Sequence, residues 1–321
     1  MNRAPLVSVV IAAYNCEKLL PATLRSVQEQ TLQSWECVIV DDGSTDGTLE
    51  LARQWADADS RFRALSKKHE GPCETRNWGY TETNPASPYV TFMDCDDVWL
   101  PDALSTLVHA AEAAPTMAGA HGLADYIDES GAIVEPGHFS AHCRKRVGIG
   151  EDGKLREWDI SKPTSFRTLL CKNTVFPPGV VLTRRACYER TGLFDPALAR
   201  IEDWDMLVRL SRHGSFSFVD HVVLLYRRHV GSLSMQSQEV NISRIRHLQH
   251  KTYVSVENTP EQRAIVKTAW KDLQLKIMRE KWKTACERFA AGKYADACAT
   301  LVRIYVEIHR FLRGYPTARG L

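Results

Sequence analysis

Short unbroken apolar runs alternate with longer stretches of helical spacing over the first third of the chain. Val7–Ala13 (VSVVIAA) is a β-branched run of the kind that forms a strand buried on both faces. Residues 17–30 then place Leu19, Leu20, Leu24 and Val27 on one helical face. Residues 36–40 (ECVIV) predict a second strand, and 45–56 a second helix with Ser44 or Thr45 as its N-cap. Phe62–Ser66 predicts a third strand, 74–80 a helix opening behind Gly71-Pro72, and 88–93 (PYVTFM) a fourth strand. Residues 101–114 predict a helix with Pro101 near its first turn. This order implies βαβ units in an α/β fold with a mostly parallel sheet flanked by helices.

Further along, 118–127, 180–183 and 219–226 predict strands, and 184–191 and 203–213 predict helices. Residues 137–153 are polar and glycine-rich, and are expected to form a loop or insertion. Beyond residue 240 the pattern is helical throughout. Residues 261–291 and 294–312, joined at Gly292-Lys293, predict a helical hairpin. The expected organisation is therefore an α/β domain over 1–240 and a C-terminal helical extension over 241–321.

Composition narrows the function classes. A net charge of +2 gives no global field toward nucleic acid. Nine cysteines stand singly without a CxxC pair, and the first residues lack a basic start followed by a long apolar run. Reduced thiols in a cytoplasmic protein are expected. No apolar run approaches the ~18–20 residues of a membrane span. Peripheral contact with the inner membrane face stays compatible with the sequence, as does a homodimer.

Polar clusters follow the apolar strands, where α/β sheets gather their functional groups. Asp94-Cys95-Asp96-Asp97 packs three carboxylates into four residues, and a divalent cation preferring oxygen, Mg²⁺ or Mn²⁺, would relieve their repulsion. A polar capping turn is the simpler alternative. Asp41-Asp42-Gly43-Ser44 offers a carboxylate to a base imide N–H, with Gly43 allowing close backbone approach. Arg76, near a helix start, suits a donor phosphate or an ordinary surface position. Asp203 suits a general base, and equally a dipole-complementing acid in a first helical turn. His229 suits a metal or phosphate ligand, or a plain surface histidine.

In order and spacing, the segments VSVVIAAYN, VIVDDGSTDGT, EGPCETRNWG, VTFMDCDDVW, PPGVVLTRRACYERTGLFD, EDWDMLVRL and LYRRHVGSLS resemble the family 2 glycosyltransferases of the GT-A fold. The resemblance runs over about residues 5–234. It implies nucleotide binding by Ala13, Tyr14, Asn15, Asp41 and Asp42, with donor-side contacts from Arg76 and Asn77. It implies a metal motif at Asp94 and Asp96, with Asp96 the more direct ligand, Asp94 also facing the nucleotide, and His229 reaching the metal or diphosphate. Asp203 matches the general base, and Trp204 and the loop with Pro178 and Gly179 match acceptor-side elements. Ala12-Ala13 departs from the family's usual Pro followed by Thr or Val, and Cys95 stands where Ser or Ala is common. The implied activity is inverting, metal-dependent transfer from a nucleotide sugar, a UDP-sugar by default, to a glycan, lipid-linked or protein acceptor. A sugar-nucleotide nucleotidyltransferase would want a Gly-rich basic loop after the first strand, where this chain has Tyr14-Asn15-Cys16-Glu17. A non-catalytic binding or scaffold protein on the same fold is the other alternative.

Overall fold

The computed structural model describes residues 4–198, 200–228 and 238–312. β1 (Val7–Ala13) is buried except for partly exposed Ala12, as a strand covered on both faces must be. α1 (Leu20–Gln28), β2 (Trp35–Asp41), α2 (Thr48–Ala58), β3 (Phe62–Ser66), α3 (Pro72–Glu82) and β4 (Tyr89–Asp94) follow. The first helix starts three residues later than its apolar spacing suggests, with a proline in its opening turn. Proline also opens α3, where the missing N–H leaves nothing unsatisfied. β5 (Val98–Trp99) and α4 (Ala103–Glu112) complete this half.

The second half contains β6 (Gly119–Ile127), β7 (Ile133–Val134), α5 (His138–Arg144), β8 (Val147–Ile149), β9 (Leu155–Glu157) and α6 (Phe166–Leu169). A 3₁₀ turn at Pro178–Val180 leads into β10 (Val181–Arg184), then α7 (Arg185–Thr191), a second 3₁₀ turn at Pro196–Leu198, α8 (Glu202–Leu210) and β11 (Phe216–Arg227). The main sheet runs β3-β2-β1-β4-β10-β6-β11-β5, with β7 paired to β6. β3, β2, β1 and β4 are mutually parallel, β10 is antiparallel to both its neighbours, and β6 and β11 are parallel.

Residues 137–153 are a helix and a hairpin strand, not the expected loop. Phe139, Cys143 and Ile149 are buried among the polar residues. Arg146 is also buried, its guanidinium donating to the carbonyls of Asp159 (2.8 Å) and Ile160 (2.9 Å) and to Thr164 Oγ1 (2.9 Å). A residue that reads as surface charge thus organises this segment from inside.

α9 (Gln238–Val254), α10 (Pro260–Ala290) and α11 (Tyr294–Leu312) form the helical extension. Leu248, Ile265, Val266 and Ala269 belong to the same apolar core as the sheet. Lys251 pairs with Asp195 (2.7 Å) and Asp205 (2.9 Å). The change near residue 240 is therefore one of secondary structure, while the core continues across it. Among the described residues no helix is long and apolar enough to cross a membrane.

Candidate active site

Strand register assembles the site. Ala13 lies opposite Asp41 on β2, and Ala12 opposite Asp94 on β4. The carboxyl ends of β1, β2 and β4 therefore finish in one row, where the following loops leave a crevice. A cavity of about 520 Å³ opens there, lined by Ala13, Tyr14, Asn15, Asp42, Arg76, Asp94 and Asp96, with His69 and Tyr226. Its size suits a small-molecule ligand.

Tyr14 is 44% exposed, and its ring stacks on the His69 imidazole at 4.2 Å between centroids. Asn15 takes a positive φ of 49°, tolerable for an asparagine, and its Oδ1 accepts the Thr45 N–H (2.8 Å). Of the two expected nucleotide-binding aspartates, only Asp42 lines the cavity. Its carboxylate accepts the Glu70 and Gly71 N–H groups (3.0 and 2.8 Å) and pairs with His69 Nδ1 at 2.8 Å. Asp41 is buried below, accepting from Ser66 Oγ (3.0 Å) and from Ser44 N (3.3 Å), so it braces the turn. Gly43 at φ +74° is needed there, since a Cβ would meet His69 N at 2.9 Å.

The acidic turn is held from two sides. Thr23 Oγ1 lies within hydrogen-bond distance of the Cys95 and Asp97 carbonyls (2.9 and 2.8 Å). Buried Arg227 donates its backbone N–H to Asp97 Oδ1 (3.0 Å), Nε to the Asp96 carbonyl (2.8 Å) and Nη1 to the Asp128 and Glu129 carbonyls (2.8 and 3.1 Å). Asp94, Asp96 and Asp97 each present a carboxylate oxygen, all within 4.8 Å of one another. Asp97 Oδ2 is buried without a hydrogen-bond partner, and burial together with Asp96 and Asp94 holds its carboxyl well above the usual range. Three hard oxygen donors this close, one of them orphaned, fit Mg²⁺ or Mn²⁺. A hydrogen bond to Cys16, together with burial, raises the Cys95 thiol well above its ordinary value, so it stays a neutral packing group. His229 lies outside the described residues.

Arg76 links this turn to α8. Its Nη2 donates to Asp94 Oδ1 (2.6 Å) and its Nη1 to Glu202 Oε1 (2.8 Å). Burial alone would lower its pKa, but the two carboxylates outweigh that and keep it charged. The residue expected on a donor phosphate is thus already bridged by two acids, though it still borders the cavity. Half-buried Asp203, next in sequence to Glu202, lines a separate, mostly apolar crevice of about 20 Å³ with Pro178 and Phe92. Burial, reinforced by the Glu202 charge, pushes its carboxyl up to about 7.

Three expected ligand contacts face elsewhere. Asn77 uses both ends of its amide on Phe194, donating to its carbonyl and accepting its N–H, each at 2.9 Å, and does not line the cavity. Trp204 is buried with its indole N–H on the Leu169 carbonyl (2.5 Å). Gly179 gives its carbonyl to the Trp99 indole (2.7 Å), and a Cβ there would reach Leu224 Cδ1 at 2.5 Å. Glu202 and Arg227 are the site residues that motif reading missed, while Asp97, one of the three clustered carboxylates, joins the Asp94–Asp96 pair that the resemblance singled out. Only polarity next to apolar runs marked Glu202 and Arg227 in the sequence.

Known proteins resemble this chain in sequence and in fold. The chain is 26% identical over 223 residues to a chondroitin synthase of Escherichia coli, covering 69% of this chain and 29% of that protein. It spans well under half the length of the curated relatives it matches first. Among solved structures, Staphylococcus aureus TarS 1-349 in complex with UDP-GlcNAc matches at TM-score 0.61 and 17% identity, over 83% of this chain and 71% of that one. The mannosyltransferase PcManGT from Pyrobaculum calidifontis, in complex with GDP-Man and Mn²⁺, matches at TM-score 0.61 and 20% identity, over 94% and 79%. At those identities the structural likeness concerns the fold. The family model described as Glycosyl transferase family 2 matches residues 8–192, more than half the chain. With its GT-A sheet and strand-end site, the chain belongs to glycosyl transferase family 2.

Proposed function

We propose that this chain transfers a sugar from a nucleotide-sugar donor, a UDP-sugar by default, to an acceptor hydroxyl with inversion at the anomeric carbon. One observation carries the reading. Tyr14, Asp42 and the Asp94–Asp96 turn share a single cavity, and the Glu202–Arg76–Asp94 ion pairs connect it to the crevice holding Asp203. The relatives support the donor class, since TarS is bound to UDP-GlcNAc and PcManGT to GDP-Man with Mn²⁺.

In this reading the Tyr14 ring and the Asp42 carboxylate hold the base. Asp94 and Asp96, with Asp97 behind them, would hold Mn²⁺ or Mg²⁺. When bound, that ion would supply Lewis-acid neutralisation of the diphosphate leaving group. Arg76 fixes Asp94 against α8, and Thr23 and Arg227 keep the acidic turn from shifting. Asp203 takes the proton of the acceptor hydroxyl as its oxygen bonds to the anomeric carbon. The bond from that carbon to the diphosphate oxygen breaks with its electron pair on the leaving group. A carboxyl titrating near 7 is matched to such a base at neutral pH. The acceptor is a glycan, a lipid-linked sugar or a protein.

A panel of UDP- and GDP-sugars, assayed for hydrolysis and transfer with and without Mn²⁺ or Mg²⁺, tests the reading. Metal-dependent turnover of at least one donor is expected. Binding of nucleotide sugars without turnover of any would favour a non-catalytic binding protein.

A further inference from the structure

Nine of the fourteen exposed large apolar side chains among the described residues lie on α10 and α11. On α10, Leu275, Trp282 and Phe289 recur every seven residues and form one stripe. On α11, at about 100° per residue, Tyr294, Leu301, Val302, Tyr305, Val306 and Ile308 span a sector about 160° wide. Phe289 and Tyr294 touch edge to face at 5.2 Å between ring centroids, so the two stripes join at the hairpin tip. The helices' mutual contact lies on other residues: Ala285, Ala297 and Ile304 are buried, and Arg288 Nη1 donates to Thr300 Oγ1 (2.9 Å). An apolar face this large on a single chain marks an interaction surface.

Charge identifies the occupant. Residues 260–312 carry eleven Lys/Arg and six Asp/Glu, while the whole chain is only +2, so the rest is net acidic. Lys276, Arg279 and Lys283 are exposed within about 100° of the α10 stripe. Their ion pairs with neighbours, Lys276 to partly exposed Asp272 and Lys283 to exposed Glu287, lie at the surface and hold them weakly. Aromatic and aliphatic side chains flanked by long basic ones suit the boundary between lipid tails and anionic headgroups, with the ammonium groups reaching up to phosphate. A second copy would bring the same positive excess against itself. The α11 sector is also broader than the narrow a/d seam through which two helices pair. We propose that the α10–α11 hairpin lies flat on an anionic lipid surface. Neither the surface nor its test depends on the reaction assigned to the cavity.

Co-sedimentation of the full chain with vesicles tests this. The wild type is expected to pellet with phosphatidylglycerol-rich vesicles, to stay in solution with pure phosphatidylcholine, and to be released by salt. The triple variant Trp282→Ser, Val302→Ser, Tyr305→Ser and the pair Lys276→Glu, Lys283→Glu should each lower partitioning about tenfold or more, with the melting temperature unchanged because all five residues are exposed. Failure to pellet with either lipid, or equal pelleting with both, would overturn the proposal. So would a concentration-dependent dimer in sedimentation velocity that the triple variant dissolves while vesicle binding is absent.

Discussion

The strand-end row and the start of α8 hold their acidic residues in opposite ways. After β1, β2 and β4, successive clusters reach the same cavity because parallel register ends the strands together. In α8 four neighbours go four ways: Glu202 to Arg76, Asp203 to the crevice, Trp204 to the Leu169 carbonyl and Asp205 to Arg209 and Lys251. A helix turns each residue about 100° from the last, so adjacency in sequence scatters side chains there. Strand ends concentrate chemistry, and helix starts distribute it.

Substitutions can break that contrast. The largest expected effect is on turnover: Asp203→Asn should lower kcat about 10²–10⁴-fold, the range of general-base catalysis, with the donor KM nearly constant. Its wild-type carboxyl near 7 also sets the pH profile. kcat should fall about tenfold per unit below pH 7 and level off above it. Because the folded-state pKa lies above the unfolded value, the wild type loses this group's stabilisation as pH rises from about 4 to 7. Asp203→Asn should therefore gain melting temperature relative to wild type across that window, and a constant difference would count against the shift.

Next comes the link between the two regions. Arg76→Ala leaves two carboxylates facing each other and should cost about 3–5 kcal/mol in a denaturant titration. Arg76→Lys, keeping charge but not the fork, should fall between. The smallest effects belong to residues that sequence placed on ligands. Asn77→Ala should cost about 1–3 kcal/mol of stability, and Trp204→Phe about 1 kcal/mol from its lost hydrogen bond. Neither should change donor or acceptor KM, and a changed KM with intact stability would return them to the site.

The same contrast explains what was legible in the sequence. Apolar runs such as Val7–Ala13 announce strands because burial on both faces demands it, and Asp42, Asp94 and Asp96 could be placed from the run preceding each. Arg146 and Arg227 could not, because their role comes from carbonyls far along the chain that only the fold brings near. Asn77 and Trp204 read as ligand contacts in the sequence, yet each spends a polar atom on backbone, a use that a motif alone does not distinguish.

Calorimetric titration of the donor nucleotide, with and without Mn²⁺, into wild type, Asp96→Ala and Asp203→Asn tests the division of labour most directly. Mn²⁺ is expected to tighten binding to wild type and to Asp203→Asn alike and to have no effect on Asp96→Ala. Equal Mn²⁺ dependence in all three proteins would contradict that division.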